Sequence, residues 1–289
     1  MIALLLAILF SSLLFVIFRF FRKFGIDTFQ AIVFNYFTAL ACGLFFYGHE
    51  WNSKALEHRE WMIFMVLAAF LFISLFVFMG ISSQQNGVAI TSVAVKMSMA
   101  ASVFGMIFIY HEKVTFLKIA GILMAFAGVI LVSLQGKSNE KNANKSWWML
   151  LVLFFGSGAL DLVLNYTQEA FKNVISCSLF SALGFGLAGL IGLVILCILL
   201  LQQKTKLELK NIIAGFVLGI PNFFSIYLLM QAYGDTGWTN STVLAVINIS
   251  IVSISALLGL LVFKEKISLI KGIGIILSLL AIFLLYASN

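Results

Sequence analysis

The sequence predicts an all-α integral membrane protein, with ten transmembrane helices arranged as two inverted repeats of five helices each. Three observations support this fold. The composition is strongly apolar, with 62% hydrophobic and only 10% charged residues, whereas soluble domains carry about 25% charged residues. The apolar residues fall into ten long runs. These runs divide into two groups of five, and the closing segments of the two groups resemble each other.

Each run is close to the length of about 20 apolar residues that carries a helix across the hydrocarbon core of a bilayer. The spans are predicted at 2–18, 26–48, 61–80, 87–110, 115–134, 147–167, 174–201, 212–233, 239–263 and 269–287. The first run lacks a basic leading segment and a clear cleavage site, so we interpret it as a span and not as a signal peptide. The longest gap, GKSNEKNANKS at 136–146, is polar. It predicts a linker between a first repeat at 1–135 and a second repeat at 147–289.

The similarity between the halves is clearest where each half ends. The segments YHEKVTFLKIAGILMAFAG (110–128) and FKEKISLIKGIGIILSLLA (263–281) share Glu-Lys, then a hydroxyl residue, a Lys and a Gly at the same offsets. Upstream, ITSV (90–93) faces NSTV (240–243). Because each half has an odd number of spans, the second half is inverted in the membrane relative to the first. Inverted repeats are typical of transporters whose binding site lies near the midplane.

These features resemble the drug/metabolite transporter superfamily, and within it the ten-span EamA-type transporters. The resemblance covers essentially the whole chain and rests on the two five-span halves, each closing with Glu-Lys and a Gly-bearing span. It implies a small-molecule carrier, often an exporter of amino acids or other metabolites, that does not hydrolyse ATP. It also implies a multi-pass location in the cell membrane. The family often has a proline in its ninth span, whereas the one proline here, Pro221, lies in the eighth.

The orientation in the membrane is left open by two conflicting arguments. Ten spans place both termini on the same face. The loops of the opposite face hold twelve Lys and Arg residues, against five on the terminal face. By the positive-inside rule this bias favours termini outside the cytoplasm, whereas the family resemblance implies termini inside.

Lys96 and Asp161 are the ionisable residues that lie deep within the predicted spans. Lys96 is about nine residues, or roughly 13 Å, into the fourth span, where snorkelling to the interface would be strained. In the sixth span, Ser157, Asp161, Asn165 and Gln168 fall on one helix face, within roughly 80° of one another. Charges at this depth usually face a cavity or a partner. The pair therefore either joins the two halves as an ion pair, or lines a cavity that meets substrate or a coupling proton, or the two residues do not meet at all.

Amide side chains in three other spans are further candidates. Asn35 lies in the second span, Asn222 follows Pro221 in the eighth, and Asn248 falls beside the repeat equivalent of Lys96 in the ninth. The alternative role for such residues is hydrogen bonding between helices. The predicted substrate-binding residues are Lys96, Asp161, Asn165, Asn35, Asn248 and Asn222. We hypothesise that they surround a central cavity that opens to each side of the membrane in turn.

Other function classes find little support in the sequence. It contains no GxxxxGK[ST], HExxH or GxSxG motif, and the predicted spans hold no His. We therefore expect no enzyme activity, no cofactor and no metal. The net charge of +7 is spread over short loops, so no nucleic-acid partner is expected. The expected partners are the bilayer, a small-molecule substrate and a coupling proton or ion. The main alternative to an amino-acid carrier is a carrier of nucleotide-sugars or other phosphorylated metabolites. An intramembrane enzyme or a scaffold is less favoured.

Overall fold

The computed structural model describes residues 1–51, 55, 59–110, 115–133, 147–171, 173–235, 240–265 and 267–287, and these ranges form helices and short connections without strands. The predicted linker at 136–146 lies outside them. The ten long helices are α1 Ile2–Phe24, α2 Thr28–Tyr47, α3 Trp61–Gln85, α4 Val88–Tyr110, α5 Phe116–Ser133, α6 Trp147–Phe171, α7 Cys177–Leu201, α8 Leu209–Asp235, α9 Asn240–Leu261 and α10 Leu269–Ala287. A 3₁₀ turn at Gly48–Glu50 follows α2.

Eight of these helices are long and apolar enough to cross a membrane, judged by length and composition within the described ranges. Helices α5 and α9 contain shorter apolar stretches, Phe116–Val132 and Val246–Leu261. The predicted all-α membrane fold with ten helices is confirmed.

Helices α1 and α3 continue beyond the spans predicted for them, which end at residues 18 and 80, to Phe24 and Gln85. Helix α1 runs to Phe24 and ends where Gly25 adopts a left-handed conformation with φ of 58°, its N–H donating to the Phe21 carbonyl. Helix α2 then begins at once, because Asp27 caps it by accepting hydrogen bonds from the backbone of Phe29 and Gln30. Hydropathy locates the bilayer core, whereas caps locate the ends of the helix. The connection is short, yet α1 and α2 both pack on α8 and make little contact with each other.

The most extensive packing joins α5 and α10, the last helices of the two halves. A Cβ added to Gly121 would lie 2.8 Å from the Leu285 side chain, and one added to Gly274 would lie 2.9 Å from the Val132 side chain. The register of the sequence repeat aligns Gly121 with Gly274 and Val132 with Leu285. The two contacts are thus equivalents of each other, as expected for halves related by a pseudo-twofold axis that passes between α5 and α10.

The first helix of each half packs mainly into the other half. Helix α1 contacts α8 and α9, and its equivalent α6 contacts α3 and α4. With α2 on α8 and α7 on α3, we group the helices by these contacts into two swapped bundles, which also meet each other extensively where α2 packs on α7. Bundle A consists of α3, α4, α6 and α7, and bundle B of α1, α2, α8 and α9. We call the face that holds the α1–α2, α3–α4, α7–α8 and α9–α10 connections the basic face, and the opposite face the terminal face.

Candidate functional site

Helix α4, which carries Lys96, is the most buried of the eight helices that are long and apolar enough to cross a membrane. Some 67% of its spanning window is buried within the protein, and it contacts helices of both halves, including α6, α9 and α10. A helix in this position has little surface left for lipid. The Lys96 side chain is nevertheless half-buried and not fully enclosed.

Helix α6 brings Asp161 against α4 at a close helix crossing. A Cβ added to Gly158 would lie 3.0 Å from the Ser98 carbonyl oxygen and 3.3 Å from the Ser102 nitrogen, so a glycine at this position lets the backbones approach. One turn further along α6, the Asp161 Oδ2 accepts a hydrogen bond from the Ser98 Oγ at 3.4 Å. The same hydroxyl lies 2.7 Å from the Val95 carbonyl. Because a hydroxyl carries one proton, the bond to Asp161 is the weaker of the two.

Lys96 and Asp161 interact electrostatically, yet they form no direct ion pair. Within the described ranges, ion pairs closer than 4.0 Å join Arg19 to Glu265 and Lys210 to Glu208. No described residue hydrogen-bonds the Lys96 ammonium, and the Asp161 side chain is exposed. The structure therefore brings together the two charges that the sequence singled out, and leaves each with unused hydrogen-bonding capacity.

Two of the predicted amide residues pair with each other, and no hydrogen bond joins any of the four to Lys96 or Asp161 among the described residues. Asn222 Nδ2 donates to Asn35 Oδ1 at 3.2 Å across the α2–α8 interface, and the other side of the Asn35 amide, Nδ2, is buried without a partner. Asn248 Nδ2 lies 3.7 Å from the Met99 sulfur, between α9 and α4. Asn165 lies one turn beyond Asp161 and is half-buried.

Ser98 is the residue of this region that the sequence analysis missed. It contacts Asp161 from α4, and the only sequence signal for it is a small polar residue two positions after Lys96. In an apolar helix such a serine usually bonds its own backbone, which Ser98 also does. Its second role depends on the α4–α6 crossing, which the sequence alone does not reveal.

In the described part of the chain, no three or more His, Cys, Asp or Glu side chains are arranged to hold a metal ion. Lys96 and Asp161 instead bring a cation and an anion near each other without a direct ion pair.

Comparison with known proteins agrees with this architecture. Residues 1–134 match the EamA-like transporter family. An uncharacterized protein of Haemophilus influenzae (strain Rd) is 30% identical over 286 residues, which cover 97% of this chain and 96% of that protein. A solved crystal structure of another protein, 15% identical, superposes with a TM-score of 0.60 over 98% of this chain and 94% of the other, and so shares the fold. The chain therefore belongs to the EamA-like transporter family, as a multi-pass membrane transporter of the drug/metabolite type.

Proposed function

We propose that this transporter is a secondary-active carrier of a small amphoteric metabolite, of the amino-acid type, and that it works by alternating access. The observation that carries the proposal is the Lys96–Asp161 arrangement. The two groups have opposite charge and interact electrostatically, but neither neutralises the other in a direct ion pair. A solute with a carboxylate and an ammonium group matches this pattern, with its carboxylate at Lys96 and its ammonium at Asp161.

The energetic cost of the two charges supports a binding role. An ionisable group near the middle of a bilayer costs about 2.5–3.5 kcal/mol on insertion scales. A structural ion pair would recover part of that cost through close contact, and this pair is farther apart than the 4.0 Å limit met by Arg19–Glu265. The bond from Ser98 to Asp161 is long, at 3.4 Å. Lys96 and Asp161 thus keep unsatisfied hydrogen-bonding capacity, which a bound solute would use.

The energy source is proposed to be an ion gradient, because the sequence lacks the phosphate-binding loop of an ATP motor. Asp161, the acidic residue deep within a span, is the group we propose to exchange a coupling proton. Export across the cell membrane is the direction we propose, in line with the activity common in the family. In proteoliposomes, collapsing the pH difference with an ionophore is expected to stop uphill movement of solute while leaving exchange intact.

The binding test compares matched variants of the purified protein. The parent, Lys96→Ala, Asp161→Asn and Lys210→Ala would be melted in detergent against amino acids, sugars, phosphorylated metabolites and quaternary amines. Lys210 is a suitable control because it is about half exposed and pairs with Glu208 on the basic face. An amino acid is expected to stabilise the parent and the control. Both site variants should bind it at least about tenfold more weakly, because each loses a charge-assisted hydrogen bond.

Several outcomes would redirect the proposal. If Lys96→Ala and Asp161→Asn bind and exchange the solute as the parent does, the two charges are structural. If a phosphorylated metabolite stabilises the parent and only Lys96→Ala loses the effect, the solute is an anion. Solute exchange in proteoliposomes, followed with isotope label, should rank the four proteins in the same order as the melting shifts.

A further inference from the structure

At the basic face, a side chain from the connection after α9 of bundle B caps the start of a helix in bundle A. Glu265, in the α9–α10 connection, accepts a hydrogen bond from the backbone N–H of Val88 at 2.8 Å. Val88 is the first residue of α4, so the carboxylate of one bundle caps a helix of the other. Negative charge at a helix N-terminus is favourable because it meets unpaired N–H groups and the positive end of the helix dipole.

Two glycines leave the space that the Glu265 carboxylate occupies. A Cβ added to Gly87 or to Gly259 would lie 2.6 Å from the Glu265 carboxyl group. Gly87 also has a φ of +98°, a conformation that favours glycine. Only 10% of the Glu265 side chain is exposed. The acid is therefore enclosed between the end of α9 and the start of α4.

Arg19 of α1 completes the contact. Its guanidinium lies 3.9 Å from Glu265 Oε1 and donates to the backbone carbonyls of Ser83 and Gln84, at the end of α3. The last carbonyls of a helix lack intrahelical partners and carry partial negative charge. Arg19, from α1 of bundle B, and Glu265, from the connection after α9, thus satisfy the end of α3 and the start of α4, two of the helix ends that bundle A presents at the basic face.

The repeat equivalent of Glu265 on the opposite face, Glu112, lies outside the described residues. Helix α1 packs against α3 near Arg19, whereas the equivalent pair, α6 and α8, makes no comparable contact among the described residues. We propose that Arg19 and Glu265 form a latch that holds the carrier closed at its basic face, and that the bundles separate there only when Glu265 leaves the α4 N-terminus. This inference rests on the proposed alternating access, and not on the identity of the solute.

The test measures how fast a thiol behind the latch reacts. Ser83 is fully buried and its hydroxyl has no partner, so Ser83→Cys places a reporter under Arg19 with little disturbance. The background protein would carry alanine in place of the native cysteines, Cys42, Cys177 and Cys197. The probe is a charged, membrane-impermeant methanethiosulfonate, applied without solute. Melting temperatures would establish that every variant is folded.

Two variants open the latch by different means. Glu265→Gln removes the charge, and Gly259→Ala displaces the carboxyl group sterically at a helical position. Either is expected to raise the rate of Ser83→Cys modification about tenfold, because a helix-capping charge shifts an equilibrium by about that factor. Glu208→Gln, the same chemical change at an exposed position on the same face, should leave the rate unchanged.

The outcomes separate this proposal from the proposed function. If both folded variants react at the parent rate, the latch does not close the basic face and the inference is wrong, whatever the solute proves to be. If the variants react faster while no amino acid binds the parent, the latch stands and only the solute assignment fails.

Discussion

Replacing Asn211 with alanine should weaken the attachment between the two halves at the basic face. Asn211, at the start of α8, accepts a hydrogen bond from the backbone N–H of Asp27 at 3.0 Å and donates to Gln30 Oε1 at 3.0 Å. Gln30 Nε2 in turn donates to Thr205 Oγ1 at 2.7 Å and to the Lys206 carbonyl at 2.9 Å. These bonds join the α1–α2 connection of the first half to the α7–α8 connection of the second.

The size of the effect follows from the groups left without partners. Asn211 and Gln30 are 2% and 1% exposed, and the substitution strands one N–H and one carbonyl oxygen. Each buried unsatisfied group costs about 1–3 kcal/mol. The network borders a polar cavity of about 270 Å³, which is large enough for water to replace part of what is lost. We therefore expect a loss of about 2–3 kcal/mol in the free energy of unfolding.

Unfolding in mixed micelles, followed by circular dichroism, measures this difference. Lys210→Ala serves as control, because its surface pair with Glu208 is half exposed and should contribute less than about 1 kcal/mol. A double-mutant cycle with Gln30→Ala should show coupling between the two amides, since both single variants break the same bond. Equal stability of Asn211→Ala and Lys210→Ala, or strict additivity in the cycle, would refute the reasoning.

Two further predictions concern helix packing. Gly274→Val should cost about 1–3 kcal/mol of stability or more through overpacking, because an added Cβ would lie 3.0 Å from Leu131 Cβ. Gly272→Ala should be tolerated, because a Cβ there meets nothing within 4 Å. Equal melting temperatures for the two variants would contradict this packing. Tyr36→Phe should cost about 1 kcal/mol, since the buried hydroxyl donates to the Phe72 carbonyl at 2.5 Å. A denaturation midpoint unchanged from the parent would show that this bond adds no net stability.

The sequence predicted the spans well, because hydropathy and bilayer thickness determine where an apolar helix can lie. It was less accurate at helix ends. Arg19 lies beyond the predicted end of the first span at residue 18, yet it is helical because the chain does not break until Gly25. The alignment between the two repeats could also be derived from the sequence, and the contacts of Gly121 and Gly274 are equivalent under that alignment.

The sequence singled out the two charges of the candidate site, but not the side-chain pairings around them. Lys96 and Asp161 stand out in sequence because ionisable groups are rare at membrane depth, and the structure brings them near each other. That Asn35 pairs with Asn222 depends on the crossing of α2 and α8, which periodicity within one helix does not determine. Their role in substrate binding remains a prediction, and so do those of Asn165 and Asn248.

Because the bundles are swapped, the helices expected to move together during transport come from both halves of the sequence. Lys96 and Asp161 come from different halves of the sequence, but α4 and α6 both belong to bundle A. Gly158 lets the backbones of these two helices pack closely. The distance between the two charges should therefore stay nearly fixed while the bundles move. Glu265, by contrast, reaches from bundle B to the start of α4. The charges would then hold the solute, while contacts between bundles determine which face of the membrane it can leave by.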